Sequence, residues 1–477
     1  EAFTGCSNLE ITGGAEVREI GNNAFTNTSM RSVSFPKLER LGTGVFSGTP
    51  VEEFDLGLIT ELPAATFSGV TSLSITLPES IVGIGSEAFS SSSLQTVVLH
   101  DGVTEIGERA FADCSELRDF VWPAGLQIIG KGAFSAASSL SGEVRLPEGL
   151  LEIGEDAFHS CDGITALIVP DTVTKIGRGI LYPHSGDSAV TELRLPFFGD
   201  GSDPATMGMS YYFGWSMDVS RDTGLETLAI TQPVTALAPG AFAEHAQLSS
   251  LTWTPRLTVL PERFPFYWNF RREKGLSLPL KGLRPVKALD LGADLTEIGT
   301  DALSGLSSLR ELVIPGGVTA LSSGVLSGAD SLEKLEFPVL PQEEYAKNVF
   351  SSLFNRYQGE WWVPAGLTEI VYTGTALNAE TFANLTAVEK ISIPYVTELP
   401  YRCFEGCTSL QTLEMGSVKK IGAWSFVGCA ALKMDENFLQ GVEELEAEAF
   451  KNLSQDLYLP ASIVRVASGA VSGDLEF

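Results

Sequence analysis

The chain has 477 residues, well beyond the ~100–200 of one compact domain, with 44% hydrophobic, 9% aromatic and 19% charged residues and a formal charge of −29. That charge argues against nucleic acid, whose binding needs a basic stripe to displace counterions, and against docking on anionic lipid. No stretch approaches the ~18 uninterrupted apolar residues of a membrane span, and no signal peptide precedes Glu1-Ala2-Phe3, which opens without Met inside a repeat, so a mature product or an excised piece is expected.

From Phe3 onward the chain repeats itself. The unit is clearest at Gly102-Val103-Thr104-Glu105-Ile106-Gly107-Glu108-Arg109-Ala110-Phe111-Ala112-Asp113-Cys114, and it runs on through Leu117, Phe120 and Trp122 to Pro123. In chain order its anchor falls on Phe3, Phe25, Phe46, Phe67, Phe89, Phe111, Phe134, Phe158, Leu181, Phe242, Leu303, Leu326, Phe382, Phe404, Phe426, Phe450 and Val471, with neighbours mostly 21 to 24 residues apart. In step with it runs Leu-x-x-Leu-x-Leu, as at Leu94/Val97/Leu99, Ile164/Leu167/Val169, Val190/Leu193/Leu195, Leu309/Leu312/Ile314, Val388/Ile391/Ile393 and Leu410/Leu413/Met415. The last two apolar residues are two apart and face one side of a strand. About nineteen such strands are expected, too widely spaced for hairpins and therefore parallel, one per coil. A Pro often closes the strand. The Val-Thr-x-Ile piece that follows is extended, and the Ala-Phe segment has helical character, its Phe plugging the core under the sheet. One coil cannot bury its own apolar edges, but stacked neighbours bury them for one another. Gly21, Gly107, Gly130, Gly154 and Gly177 follow the Ile, yet Pro63, Pro261 and Pro400 fill the same slot. Pro fixes φ near about −65°, so close packing explains these glycines better than a left-handed turn.

This phased pattern resembles the BspA-like (Treponema pallidum-type) leucine-rich repeat family, whose unit is similar to Ile-x-x-Ile-Pro-x-x-Val-x-x-Ile-Gly-x-x-Ala-Phe-x-x-Cys. The resemblance covers essentially the whole chain, departing from it at degenerate repeats near 255–290 and 430–445 and at three insertions. It implies an α/β leucine-rich-repeat solenoid, one continuous curved array over 1–477, on a bacterial or protist surface or secreted, used for adhesion and interaction. It carries no catalytic residues.

The insertions cover 197–224, 265–282 and 339–366. After the first and third, the next strand begins 35 residues after the last, at Leu225 and Leu367. All three are rich in aromatic residues, and repeat-protein insertions often emerge on the binding face. Tyr211, Tyr212, Trp215, Tyr267, Trp268, Trp361 and Trp362 are the candidate binding residues, for stacking on sugars or anchoring a protein. The alternative is that these rings pack as a private mini-core.

No cofactor or metal motif is present. Cys6, Cys114, Cys161, Cys407 and Cys429 sit three residues after an anchor, where Thr28, Val70, Ala137 and Leu453 stand elsewhere, and so read as small core residues. Cys407 and Cys429 fall in adjacent coils within disulfide reach, though parallel side chains favour free thiols. His100, His159, His184 and His245 lie in no catalytic context. Asp200-Gly201-Ser202-Asp203 lacks the remaining ligands of a calcium loop. Asn27, Asn384 and Asn452 open glycosylation sequons or are repeated polar turns. The expected function is a non-catalytic, monomeric interaction protein for an extracellular protein or glycan ligand. Its sheet presents Glu53, Asp55, Glu192, Arg194, Glu311, Glu336, Glu369 and Glu414 outward. The alternatives are a glycan-binding module carried by the aromatic insertions and, less in keeping with the phased motifs, a right-handed β-helix enzyme acting on polysaccharide.

Overall fold

In a computed structural model the described residues are all but 10, 12, 185–187, 203–207, 215–223, 238–247, 261–285, 342–348, 355–362, 453–455 and 473–477. They form two compact units, Glu1–Thr254 and Pro255–Phe477. Each is a parallel-strand solenoid, and the chain makes about 17 turns with almost no helix, close to the expected coil count.

A regular coil has three sides. The Leu-x-x-Leu-x-Leu piece is the first, a strand paired in parallel with its neighbours. In the first unit Ser74–Thr76, Thr96–Val98 and Asp119–Phe120 make one sheet, and Ser141–Arg145, Gly163–Ile168, Glu192–Leu195, Thr227–Val234 and Ser250–Pro255 make another of five strands. In the second unit Glu311–Val313, Lys334–Phe337, Glu369–Tyr372, Lys390–Ile393 and Thr412–Met415 do the same. The Val-Thr-x-Ile piece is the second side. It is a strand in its own right, so a coil carries two strands where one was expected: Glu61–Leu62, Gly83–Ile84, Glu105–Ile106, Ile128–Ile129, Glu152–Ile153 and Lys175–Ile176 form a six-stranded parallel sheet.

The Ala-Phe segment is the third side, and it corrects another expectation: it is a run of turns, not a helix. The cause lies two residues to either side of the anchor. Around Phe89 these are Glu87 and Ser91, at φ 56 and 57; around Phe111 they are Arg109 and Asp113, at φ 54 and 59. Left-handed residues interrupt any right-handed helix. They also turn the intervening peptide groups along the stack. Phe89 N donates to Ala110 O at 2.8 Å, Phe111 N to Ala133 O at 2.7 Å and Phe134 N to Ala157 O at 2.8 Å. The turn side therefore has a backbone ladder like those of the sheets, and its buried peptide groups are satisfied.

The core is a column of anchor rings. Phe3, Phe25, Phe46, Phe67, Phe89, Phe111, Phe134 and Phe158 stack nearly parallel, with centroids between 5.2 and 5.7 Å apart. Phe382, Phe404, Phe426 and Phe450 repeat the arrangement in the second unit. The separation exceeds face-to-face contact, so the rings are offset, the arrangement their quadrupoles favour. The glycine row confirms close packing. Neither Gly154 nor Gly177 has a positive φ, but a Cβ on Gly154 would lie 2.4 Å from Lys131 N, and one on Gly177 would lie 2.1 Å from Glu155 N.

Removing a ring from this column leaves a cavity that the rigid ladders on either side cannot close. Phe111→Ala and Phe158→Ala should each destabilise by about 3–5 kcal/mol, and Gly154→Ala by about 1–3 kcal/mol through overpacking against backbone. Urea denaturation checks this, and unchanged midpoints for the two Phe variants would place the rings outside the core.

Candidate interaction surfaces

Alternation along the strands separates core from surface. In Glu192-Leu193-Arg194-Leu195 the leucines are buried and the charged residues exposed. Parallel register sets Glu192 beside Ala166 and Thr227, and Arg194 beside Ile168 and Ala229, so the side chains of this face run in two rows across the sheet, Ala166 and Ile168 being buried within them. Of the residues expected to face outward, Glu53, Asp55, Glu192, Arg194, Glu311 and Glu414 are exposed, and Glu336 and Glu369 are half-buried. In the second unit one row alternates in sign. Lys334 lies 3.4 Å from Glu369, which lies 3.9 Å from Lys390, and Lys390 also lies 3.1 Å from Glu414 of the adjacent row. Hydrogen bonding to Glu414 raises the Lys390 pKa and lowers that of Glu414. Each exposed pair adds only ~0–1 kcal/mol, but like charges brought opposite by a slipped register would repel.

The first insertion turns out to complete a coil. Asp156 N and Phe158 N donate to Arg178 O and Ile180 O of the next coil; one coil on, Gly179 N and Leu181 N donate in the same way to Tyr211 O and Tyr212 O, both at 2.8 Å. Tyr212 thus occupies the slot of the usual Ala, and Phe213 the anchor slot, and both are fully buried. The third insertion repeats this, with Gly324 N and Leu326 N donating to Ser352 O and Leu353 O at the end of the short helix Val349–Leu353. The 35-residue offsets are therefore single enlarged coils. Tyr212 is removed from the exposed candidates: its hydroxyl donates to Phe197 O at 2.6 Å, and burial holds its pKa well above the ordinary value. Trp215, Tyr267, Trp268, Trp361 and Trp362 lie outside the described residues.

Tyr211 is half-buried and borders a groove of about 390 Å³. The glycine row Gly130, Gly154 and Gly177 lines it, with Lys131, Lys175 and Arg178 at its sides. The groove exists because three successive coils put no side chain there. Its charges are engaged: Lys131 with Glu155 at 2.7 Å, Lys175 with Glu152, and Arg178 with Gly214 O at 3.3 Å. The Tyr211 hydroxyl donates to Ile176 O at 3.0 Å. The phased glycines were the signal for this concavity; the sequence reading used them only as a packing device.

The other polar motifs resolve as structure. Asp200 accepts from Ser202 N at 2.8 Å and Ser202 Oγ at 2.6 Å, a closed polar turn. Among the described residues no group of three or more His, Cys, Asp or Glu could hold a metal ion, and no helix is long and apolar enough to cross a membrane. His100 spans Ile81 O and Gly102 N, and His159 stacks on Tyr182. Asn27, Asn384 and Asn452 all stand at positive φ, in the slot held by Gly48, Gly406 and Gly428 in other coils, which accounts for their recurrence by Asn's tolerance of the left-handed region.

Comparison with known proteins agrees with this architecture. Residues 1–118, 60–186, 281–371 and 366–473 match the profile of the BspA type leucine rich repeat region. No curated protein matches the sequence. The chain is similar to a solved leucine-rich repeat protein from Bacteroides ovatus, at 20% identity over 83% of this chain and 87% of that one, with a TM-score of 0.42. It is also similar to a leucine rich cell surface protein from Faecalibacterium prausnitzii (20% identity, 82% and 89% covered, TM-score 0.28) and to the pneumococcal vaccine antigen PcpA (17%, 82% and 90%, 0.27).

The cysteines are interior groups with a specific task. Cys114, Cys161, Cys407 and Cys429 each direct Sγ at the anchor carbonyl of the preceding coil, on Phe89, Phe134, Phe382 and Phe404, at 2.9 to 3.1 Å. Ser92 fills the same slot and bonds to Phe67 O and Phe89 O. The slot thus takes a small donor as well as a small volume. All six thiols are free, and only Cys6 is exposed. Burial pushes the pKa of Cys114, Cys161 and Cys429 up to about 12 and also raises those of Cys403 and Cys407. The folded thiols therefore hold their protons more tightly than unfolded ones. Their contribution to stability is fully present below pH ~9 and is lost as pH rises toward 12. A thiol reagent at pH 8 should titrate one cysteine rapidly in the native chain and six after denaturation, with melting temperature falling above pH ~9; fast modification of five or six native thiols would contradict the burial.

Proposed function

This chain belongs to the BspA-type leucine-rich repeat family, and from that premise we propose that it is a non-catalytic surface or secreted interaction protein that adheres to an extracellular protein. The reading rests on one observation: along the long strands the inward side chains are consumed by the core, while outward charged residues such as Glu143, Arg145, Glu192 and Arg194 are exposed on strands held in parallel register. Core positions are fixed by stacking. Outward positions are not needed to fill the core, so they are free to be selected for a ligand. A contact surface of this kind is built by repetition and needs no pocket. Family membership supports a repeat-based binding protein. The groove at Tyr211 is a concave feature next to the enlarged coil of the first unit, and Trp215, Tyr267, Trp268, Trp361 and Trp362 are further candidate contacts proposed from the sequence.

The test is quantitative binding of the full chain to a panel of immobilised extracellular matrix and cell-surface proteins. For any protein that binds, a Glu192→Lys/Arg194→Glu variant should keep its melting temperature and lose about tenfold or more in affinity. Trp215→Ala and Trp361→Ala, measured in parallel, separate anchors from packing: an anchor loses on the order of 2 kcal/mol of binding with stability kept, whereas a packing residue does the reverse. Retention of full affinity by the charge-swapped variant would remove the strand face as the contact surface.

A further inference from the structure

The left-handed slot two residues before the anchor is filled by Gly at 44, 132, 179, 324 and 469, and elsewhere by residues such as Asn23, Ala65 and Asp156. In one described coil it is Trp424, at φ +65. A bulky aromatic side chain is a costly choice for a conformation that Gly or Asn adopts with ease. The indole does not fill the core in return, since Trp424 is half-exposed while Phe426, the anchor of its coil, is buried.

What the indole does meet is a compact polar cluster. The same slot in four consecutive coils holds Glu380, Arg402, Trp424 and Glu448. The Arg402 guanidinium carbon lies 5.0 Å from the Tyr401 ring centroid and 5.2 Å from that of Trp424, and Lys451 Nζ lies 4.3 Å from Trp424. Carboxylates flank both cations. Glu405 is 3.3 Å and Glu380 3.9 Å from Arg402, and Glu448 is 2.7 Å from Lys451. The five charged side chains are only 26–38% exposed, so packing holds them in place. Tyr401 is 44% exposed.

We propose that this patch is a binding site for a neutral carbohydrate. Two cations face three carboxylates, and each cation is already committed to a ring and a carboxylate. An ionic ligand of either sign would have to break those pairs, and an apolar partner would bury five charges without satisfying them. A neutral pyranose meets both constraints. Its C–H face stacks on the ring of the exposed Tyr401, and its hydroxyls donate to Glu380, Glu405 or Glu448 and accept from Arg402 or Lys451 in charge-assisted hydrogen bonds, while the indole between the two cations holds them in place. The site lies on the turn side of the coil, so it stands independently of the strand-face reading.

The full chain is tested on an array of neutral hexose and N-acetylhexosamine oligosaccharides, with calorimetric titration of those that bind. Trp424→Gly installs the residue that other coils use at this φ, so the variant should melt no lower than wild type while binding at least about tenfold more weakly. Tyr401→Ala, at an exposed ring, should show the same loss, and it decides the matter if Trp424→Gly proves less stable. The proposal is overturned if no neutral oligosaccharide binds the wild-type chain, if only sialylated or sulfated glycans bind, or if both variants keep wild-type affinity.

Discussion

Every coil must repeat the path of the one below it at the spacing of a parallel strand pair, about 4.8 Å, and the sequence follows from that constraint. Glycine stands at 130, 154 and 177 because the backbone beneath leaves no room for a Cβ. Phenylalanine suits the anchor because a flat ring in offset stacking has a thickness near the repeat. Left-handed residues bracket the anchor because only so can its peptide groups point along the stack. The third position after the anchor is held by a small or apolar residue, and where it carries a donor, as at Thr49, Ser92 and Cys114, that donor meets an anchor carbonyl. These are one requirement seen from different sides of the coil.

The division of labour between interior and surface has the same origin. A residue that points into the coil is committed to its neighbours, and only residues that point away from it are available to a ligand. Aromatic enrichment in the insertions pointed to binding, yet Tyr212 and Phe213 are committed, because an enlarged coil still needs an anchor for the coil below to bond with. Trp424 shows the opposite case. It lies inside a regular repeat and is in phase, but it occupies a slot whose side chain points away from the core. Aromatic content alone does not separate the two situations; position relative to the anchor does.

The period, the parallel strands and the role of the Ile-Gly glycines were legible in the sequence because each leaves a residue-type signature in phase. Pro63 and Pro400 were decisive for the glycines, since they ruled out a positive φ for that slot. The second strand was read only as an extended piece, being two residues long and without the alternation that marks a strand. The turn side was misread as helical because Ala-Phe has acceptable helix propensity, while the residues that forbid the helix are as varied as Glu87, Arg109, Asp113 and Trp424. No composition rule unites them. The anchors of the enlarged coils escaped notice because Tyr212-Phe213 and Leu353-Phe354 lack the Ile-Gly that announces the others.

The central claim is that the turn side is a load-sharing ladder equal to the two sheets, and native-state hydrogen exchange addresses it directly. The amides of Phe89, Phe111 and Phe134 each donate to the next coil, as the amides of Gly107 and Gly130 do from the second strand to the coil before. If the ladder bears the stack, the two sets exchange equally slowly, because both open only when coils separate. Anchor amides that exchanged within minutes while Gly107 and Gly130 stayed protected would show the turn side to be a loop hung on the sheets, and the account would fail.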